Sequence, residues 1–270
     1  MDNRPIGVFD SGLGGLTTVR QLRRLLPHEK IVYFGDTGRV PYGTKSRQTL
    51  MKYTRQDIRF LLQFDPKAIV VACNSADTVR GAVAPEFSLP ILGVVESAAK
   101  AAATASRNGR IGLIATQATI RSGVYEPVLH ALRPEAELYK KACPLFVPLV
   151  ENGRTEPGDQ VLELVVEEYL QGLKDWGCDT LILGCTHYPL LKRVIGEFLG
   201  QQTRLIDSGA EAAKALADYL EEQALRADRQ EPGACQYYVS DSTEGFAETA
   251  GQFLGMDLDG AVEQVEIGSY

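Results

Sequence analysis

Leu181-Ile182-Leu183-Gly184-Cys185-Thr186-His187-Tyr188-Pro189 runs three apolar residues into a glycine, then a thiol, a hydroxyl, an imidazole and a proline. A short apolar run of this kind, followed by a helix-like segment from Leu190 to Leu199, reads as a buried parallel strand that ends in a turn. Pro189 suits a first helical position, where its missing N–H costs nothing. This reading places Cys185, Thr186 and His187 at the C-terminal end of a strand and at a helix N-terminus. Free N–H groups and the positive end of the helix dipole gather there, and both favour a thiolate.

A second stretch has the same plan. Ala68-Ile69-Val70-Val71-Ala72-Cys73-Asn74-Ser75-Ala76-Asp77 is again an apolar strand, a cysteine, polar residues and a helix. The strands and helices around the two stretches alternate along the chain, which implies an α/β protein with parallel sheets. The two series also match. Ile6-Gly7-Val8 and Ile111-Gly112-Leu113 are offset by 105 residues, Cys73 and Cys185 by 112, and Glu96-Ser97 and Asp207-Ser208 by 111. Offsets this close point to an internal duplication: two similar α/β lobes, one of residues 1–97 plus 207–270 and one of 98–206. Ligands in such sheets bind beyond the carboxyl ends of the strands, so the cleft between the lobes is the expected site. Val147 to Gly153 reads as a loop; after Glu231, Cys235 to Val239 reads as a strand and Ser242 to Leu254 as a helix, with no role that the pattern identifies.

At 270 residues the chain can bury a real core, and 44% hydrophobic with 23% charged residues is ordinary soluble composition. A net charge of −7 argues against general attraction to nucleic acid. No apolar run approaches membrane-spanning length, and no apolar signal region precedes the first strand. The five cysteines, without a C-x-x-C pair, fit reduced thiols in a cytoplasmic protein and do not suggest a zinc site.

Either cysteine alone would be read as core. Two at matched strand ends, each followed by hydrogen-bonding residues, fit a two-base proton transfer. Asp10 and His187 are the expected orienting groups, since a carboxylate and an imidazole can both exchange protons. Asp36 and Glu151 are weaker auxiliary candidates, because acidic loop residues are usually only solvated. A rival reading rests on Gly12-x-Gly14-x-x-Thr17 after a strand, with Asp36 ending the next, which is similar to a dinucleotide fingerprint and would suit a nicotinamide dehydrogenase. Against it, Thr17 replaces the third glycine, and Asp10 would face the pyrophosphate. A protein-binding regulator is a third class.

Four ordered motifs carry a sharper likeness: Asp10-Ser11-Gly12-x-Gly14-Gly15, Pro41-Tyr42-Gly43, Ala72-Cys73-Asn74-Ser75-Ala76 and Gly184-Cys185-Thr186-His187-Tyr188-Pro189. With them the chain closely resembles the glutamate racemases, cofactor-independent members of the aspartate/glutamate racemase superfamily. Ala115-Thr116-x-x-Thr119-x-x-Ser122-x-x-Tyr125 also fits that pattern, whereas Ser75 stands where the family more often has Thr. The resemblance implies interconversion of L- and D-glutamate for peptidoglycan, with no metal or other cofactor, often in a homodimer; a related racemase of aspartate is the alternative. It implies Cys73 and Cys185 as the catalytic pair, assisted by Asp10 and His187. It further implies substrate contacts at Asp10, Ser11, Pro41, Tyr42, Gly43, Asn74, Ser75, Thr119, Thr186 and His187.

Overall fold

The computed structural model describes residues 1–270. Its first half-chain is laid down as β1 (Ile6–Asp10), α1 (Leu16–Leu25), β2 (Ile31–Gly35), α2 (Arg47–Leu62), β3 (Ala68–Val71), α3 (Asn74–Val83), β4 (Ile91–Gly93) and α4 (Val95–Ala105). The second series is β5 (Arg110–Ala115), α5 (Gln117–Ser122), α6 (Tyr125–Leu132), β6 (Glu137–Ala142), α7 (Phe146–Glu151), α8 (Gln160–Asp175), β7 (Thr180–Gly184), α9 (Lys192–Leu199) and β8 (Arg204–Asp207). The chain then forms α10 (Ser208–Glu222), β9 (Cys235–Val239), α11 (Thr243–Leu254) and β10 (Val262–Gln264).

Two wholly parallel sheets result, in the orders β10-β9-β2-β1-β3-β4 and β6-β5-β7-β8. The units β2-β1-β3-β4 and β6-β5-β7-β8 have one and the same order, as a duplication requires. β1, β2, β3 and β7 are buried along their whole length, so they read as continuous apolar runs and not as alternating ones. In each unit the central strand, β1 or β5, lies next to the strand that precedes a cysteine, β3 or β7. Both thiols therefore emerge at carboxyl edges.

One expectation needs correction. Val147 to Gly153 is not a loop: α7 occupies Phe146–Glu151, with Phe146 and Val150 buried. Pro148 is accommodated because it sits in the first turn, where its N–H would have no helical partner. α4 starts at the tip of β4 and packs against α6, β7 and β8. The segment after Glu231 supplies β9 and β10, which extend the first sheet outward from β2. No helix is long and apolar enough to cross a membrane.

Candidate active site

The turn after β1 explains the glycines. Asp10 is fully buried, and its Oδ2 accepts hydrogen bonds from the Gly12 and Gly15 N–H groups at 3.1 and 3.0 Å. The Tyr33 hydroxyl donates to the Gly12 carbonyl at 2.6 Å. A Cβ on Gly15 would lie 2.5 Å from Asp10 Cβ, and one on Gly14 would lie 2.1 Å from Thr186 Oγ1 and 2.6 Å from His187 Nδ1. The turn is thus folded around a carboxylate and pressed against the turn that follows β7. The Thr17 hydroxyl bonds across this seam, donating to the Thr186 or Gly14 carbonyl at 3.0 and 2.8 Å. The glycines thus serve close packing of protein on protein, whereas in a dinucleotide fingerprint they let the backbone approach a pyrophosphate.

A cavity of about 380 Å³ opens beside this seam and is lined from both units. Cys73 and Cys185 both reach it, each only slightly exposed, along with Ser11, Asn74, Ser75, Thr186, His187, Glu151 and the segment Pro41-Tyr42-Gly43. A larger groove, of about 620 Å³, lies elsewhere between α4, α10 and β8 and contains neither thiol.

Cys73 is the N-cap residue of α3, with the Ala76 N–H and the Ser11 side chain as the donors that act on its sulfur. Those donors favour a thiolate, but burial and then the nearby Asp10 charge push the thiol far above its ordinary range. Cys73 is therefore a protonated acid in the unliganded protein. Burial also raises the Asp10 carboxyl, against the His187 charge and the N–H donors of its own turn.

Cys185 is placed differently from expectation. The segment after it forms a single 3-10 turn over Tyr188–Leu191, and the α-helix starts only at Lys192. Its neighbour is instead His187, whose Nδ1 lies 3.9 Å from the Cys185 sulfur and whose Nε2 lies 3.0 Å from Glu151 Oε1. Burial pulls the His187 pKa down. Hydrogen bonds to Cys185 and Glu151, and the charges of Cys185 and Asp10, outweigh this and lift it to about 10. The ring is an imidazolium at neutral pH, and the Phe253 ring meets it edge-on with centroids 5.2 Å apart. One thiol thus has a carboxylate neighbour and the other an imidazolium.

Several sequence candidates sit differently from expectation. Thr119 is buried behind the cavity and does not line it; its hydroxyl accepts from Thr116, the N-cap of α5, at 3.2 Å. Thr116 is the lining residue and bonds Ser75 Oγ at 2.9 Å. The two threonines are one helical turn apart. Asp36 is neither solvated nor at the cavity; it is fully buried and paired with Arg39 at 2.6 Å. The Tyr42 hydroxyl points away from the cavity into that same buried cluster, so Tyr42 and Gly43 can meet a ligand through their backbone. The Asn74 amide is held at both ends, accepting from the Tyr125 hydroxyl at 2.9 Å and donating to Ser208 at 3.1 Å. Tyr125 and Ser208 were quoted only as parts of patterns, because nothing local marks a residue that acts across the cleft.

The sequence profile of the Asp/Glu/Hydantoin racemase family matches residues 16–216. The glutamate racemase of Geobacter metallireducens is 46% identical over 265 residues, covering 98% of this chain and 97% of that one. Among solved structures, glutamate racemase from Francisella tularensis in complex with D-glutamate superposes with a TM-score of 0.92 at 38% identity, covering all of both chains. The enzyme from Thermus thermophilus in complex with beta-chloro-D-alanine does so with a TM-score of 0.89 at 42% identity, again over all of both chains.

Proposed function

Since the chain belongs to the Asp/Glu/Hydantoin racemase family and, within it, to the glutamate racemases, we propose that it interconverts L- and D-glutamate with Cys73 and Cys185 as its two bases. The observation that carries this reading is the pair of thiols on one cavity, each from an equivalent strand end of a different unit.

Inverting the α-carbon requires proton removal on one face and delivery on the other. For L-glutamate, Cys185 as thiolate takes the α-proton, and the electron pair of the broken C–H bond is left on carbon. The Cys73 thiol then gives its proton to the opposite face, forming the new C–H bond and becoming a thiolate. Cys185 now holds the proton, and the reverse reaction starts from this state. The intermediate carbanion is stabilised by fixed dipoles aimed at the substrate carboxylate. The N-termini of α3 and of the 3-10 turn after His187 are the available donors. Tyr42 and Gly43 offer backbone N–H groups to the side-chain carboxylate, while Asp10, fully buried, acts from behind the cavity wall. Asp10 and His187 assist the nearer thiol, and Glu151 holds His187.

The same reading includes a cytoplasmic enzyme that supplies D-glutamate for peptidoglycan, in a homodimer, with two lobes of 1–97 plus 207–270 and 98–206. The test is the circular dichroism of L-glutamate incubated with purified protein. The signal decays to zero without NAD, and decay persists after exhaustive chelation and treatment with a carbonyl reagent. Activity that is lost and then restored by metal or pyridoxal phosphate overturns the reading. Faster decay of L-aspartate than of L-glutamate replaces the substrate.

A further inference from the structure

The segment after β9 reaches back to the loop that carries Pro41-Tyr42-Gly43. The Ser240 hydroxyl donates to Asp36 Oδ1 at 2.7 Å and accepts from the Gly38 N–H at 2.9 Å. The Asp241 N–H donates to Thr37 Oγ1 at 3.1 Å, so two consecutive residues of the distal segment grip the base of this loop.

From Asp36 the chain of contacts continues inward. Asp36 Oδ2 accepts from the Tyr42 hydroxyl and from Arg39 Nε. Tyr42 Oη lies 2.9 Å from Asp57 Oδ2, and Arg39 also donates to Asp57 Oδ1 at 3.0 Å and to Gln56 Oε1 at 2.6 Å. Asp36 and Asp57 are both fully buried, and Tyr42 nearly so. A phenol has one proton and cannot donate to both carboxyls. Burial, and then the Asp36 charge, push the Asp57 carboxyl well above the ordinary range, which favours the neutral acid, the form that can share a proton with Tyr42 Oη. With one anion, one cation and a neutral acid, every polar group has a partner. A fully satisfied buried network is rigid and specifies a single geometry.

Asp36, Arg39 and Asp57 do not line the cavity, yet they hold the hydroxyl of Tyr42, which does. We infer that Ser240, Asp36 and Asp57 are positioning residues that fix the 41–43 loop tip, and with it the distance at which a substrate's side-chain carboxylate is bound. The distal segment is thereby part of the specificity apparatus. The inference rests on the glutamate reading given above. Displacing a binding group weakens ground and transition states alike, so the effect belongs in KM and not in kcat.

The test compares Ser240→Ala, Asp57→Ala and Asp57→Asn with wild type, measuring KM and kcat for glutamate in both directions and the glutamate-to-aspartate ratio of kcat/KM. Ser240→Ala and Asp57→Ala should raise KM roughly fivefold or more with kcat within about twofold, and should lower the glutamate preference. Asp57→Asn keeps a donor for Tyr42 and an acceptor for Arg39, so its KM should stay near wild type. A wild-type KM in Ser240→Ala, whose site is partly exposed and tolerant, overturns the inference; so does a loss confined to kcat. Should Asp57→Ala not fold, Ser240→Ala and Asp57→Asn decide. Absence of glutamate turnover in the wild type instead removes the functional reading, which separates the two failures.

Discussion

Glu151 Oε1 lies 3.0 Å from His187 Nε2, while Nδ1 of the same ring faces the Cys185 sulfur. The ring is strung between a carboxylate on α7 and a thiol after β7, so each partner raises its basicity. Glu151 was, with Asp36, one of the two weaker sequence candidates. It gains its place because α7 exists where a loop was expected.

Replacing Glu151 by Gln removes one of the groups that lift the His187 pKa. The alkaline limb of the kcat profile should then move to lower pH. We expect a roughly tenfold loss in kcat/KM, below the ~10²–10⁴ typical of a group that itself transfers the proton. L- and D-glutamate have equal free energy in solution, so kcat/KM must fall equally in both directions. Any difference between them appears only in kcat and KM taken separately. A pH profile that coincides with wild type would show that the pair has no role in the reaction.

The same ring links activity to stability. Its folded pKa of about 10 lies above the 6.5 of a free imidazole. The stabilisation from protonated His187 is therefore whole below about pH 6.5 and is lost as pH rises through about 10. The difference in urea midpoint between wild type and His187→Gln should shrink across that window. A difference that is flat from pH 6 to about 10 would mean that the ring is neutral in the fold.

Asp10 should behave in the opposite sense. Burial raises its folded pKa, so the native state holds the proton more tightly than the unfolded chain does. At any pH above the unfolded value, this tighter proton binding by the native state counts against the fold. Asp10→Asn should keep or raise the thermal midpoint while lowering kcat roughly a hundredfold. Calorimetry and kinetics on one preparation check both halves. Asn Oδ1 can still accept from Gly12 and Gly15, so the turn is preserved.

Gly14 tests the packing between the two units. A methyl group there would meet Thr186 Oγ1 at 2.1 Å and His187 Nδ1 at 2.6 Å. Gly14→Ala must push the two turns apart or tilt His187 away from Cys185. We expect near-complete loss of turnover with a melting temperature lowered by only a few degrees, the size set by one overpacked contact of about 1–3 kcal/mol. Wild-type kinetics would mean that the seam yields freely.

Much of this arrangement was legible in the residues. β3 and β7 announced themselves because strands buried on both faces are continuous apolar runs, and each ended at a thiol flanked by polar groups. The repeated offsets gave the doubled strand order. What stayed hidden depends on contacts across the chain. Tyr42 stood out only as part of Pro41-Tyr42-Gly43, and nothing local shows that Asp57, on α2, holds its hydroxyl away from the cavity. Thr119 and Thr116 are one turn apart, and only the docking of α5 against α3 selects Thr116. The helix dipole expected at Cys185 is displaced by the 3-10 turn, and no spacing rule separates that turn from the start of an α-helix. Ser240 carries no motif; its partners lie some two hundred residues earlier.

The two thiols give the decisive prediction. A Cys185 thiolate that has taken the α-proton from L-glutamate cannot deliver it to the other face, because the substrate lies between. The proton in the product must come from Cys73, a buried thiol that faces the same cavity and has exchanged with solvent before substrate binds. In heavy water at early times, D-glutamate formed from L-glutamate should carry deuterium at the α-carbon. The remaining L-glutamate should stay protonated, since return from Cys185 restores the proton it removed. Starting from D-glutamate the labels should reverse. A single base predicts otherwise, with some original proton kept in the product or deuterium appearing in unreacted substrate. Cys73→Ala and Cys185→Ala should each abolish net racemisation, because one face then lacks its acid or base. Proton NMR of the α-position, followed for both enantiomers, reads all of these outcomes. Near-normal turnover by either alanine variant would refute the assignment, even though both sulfurs line one cavity.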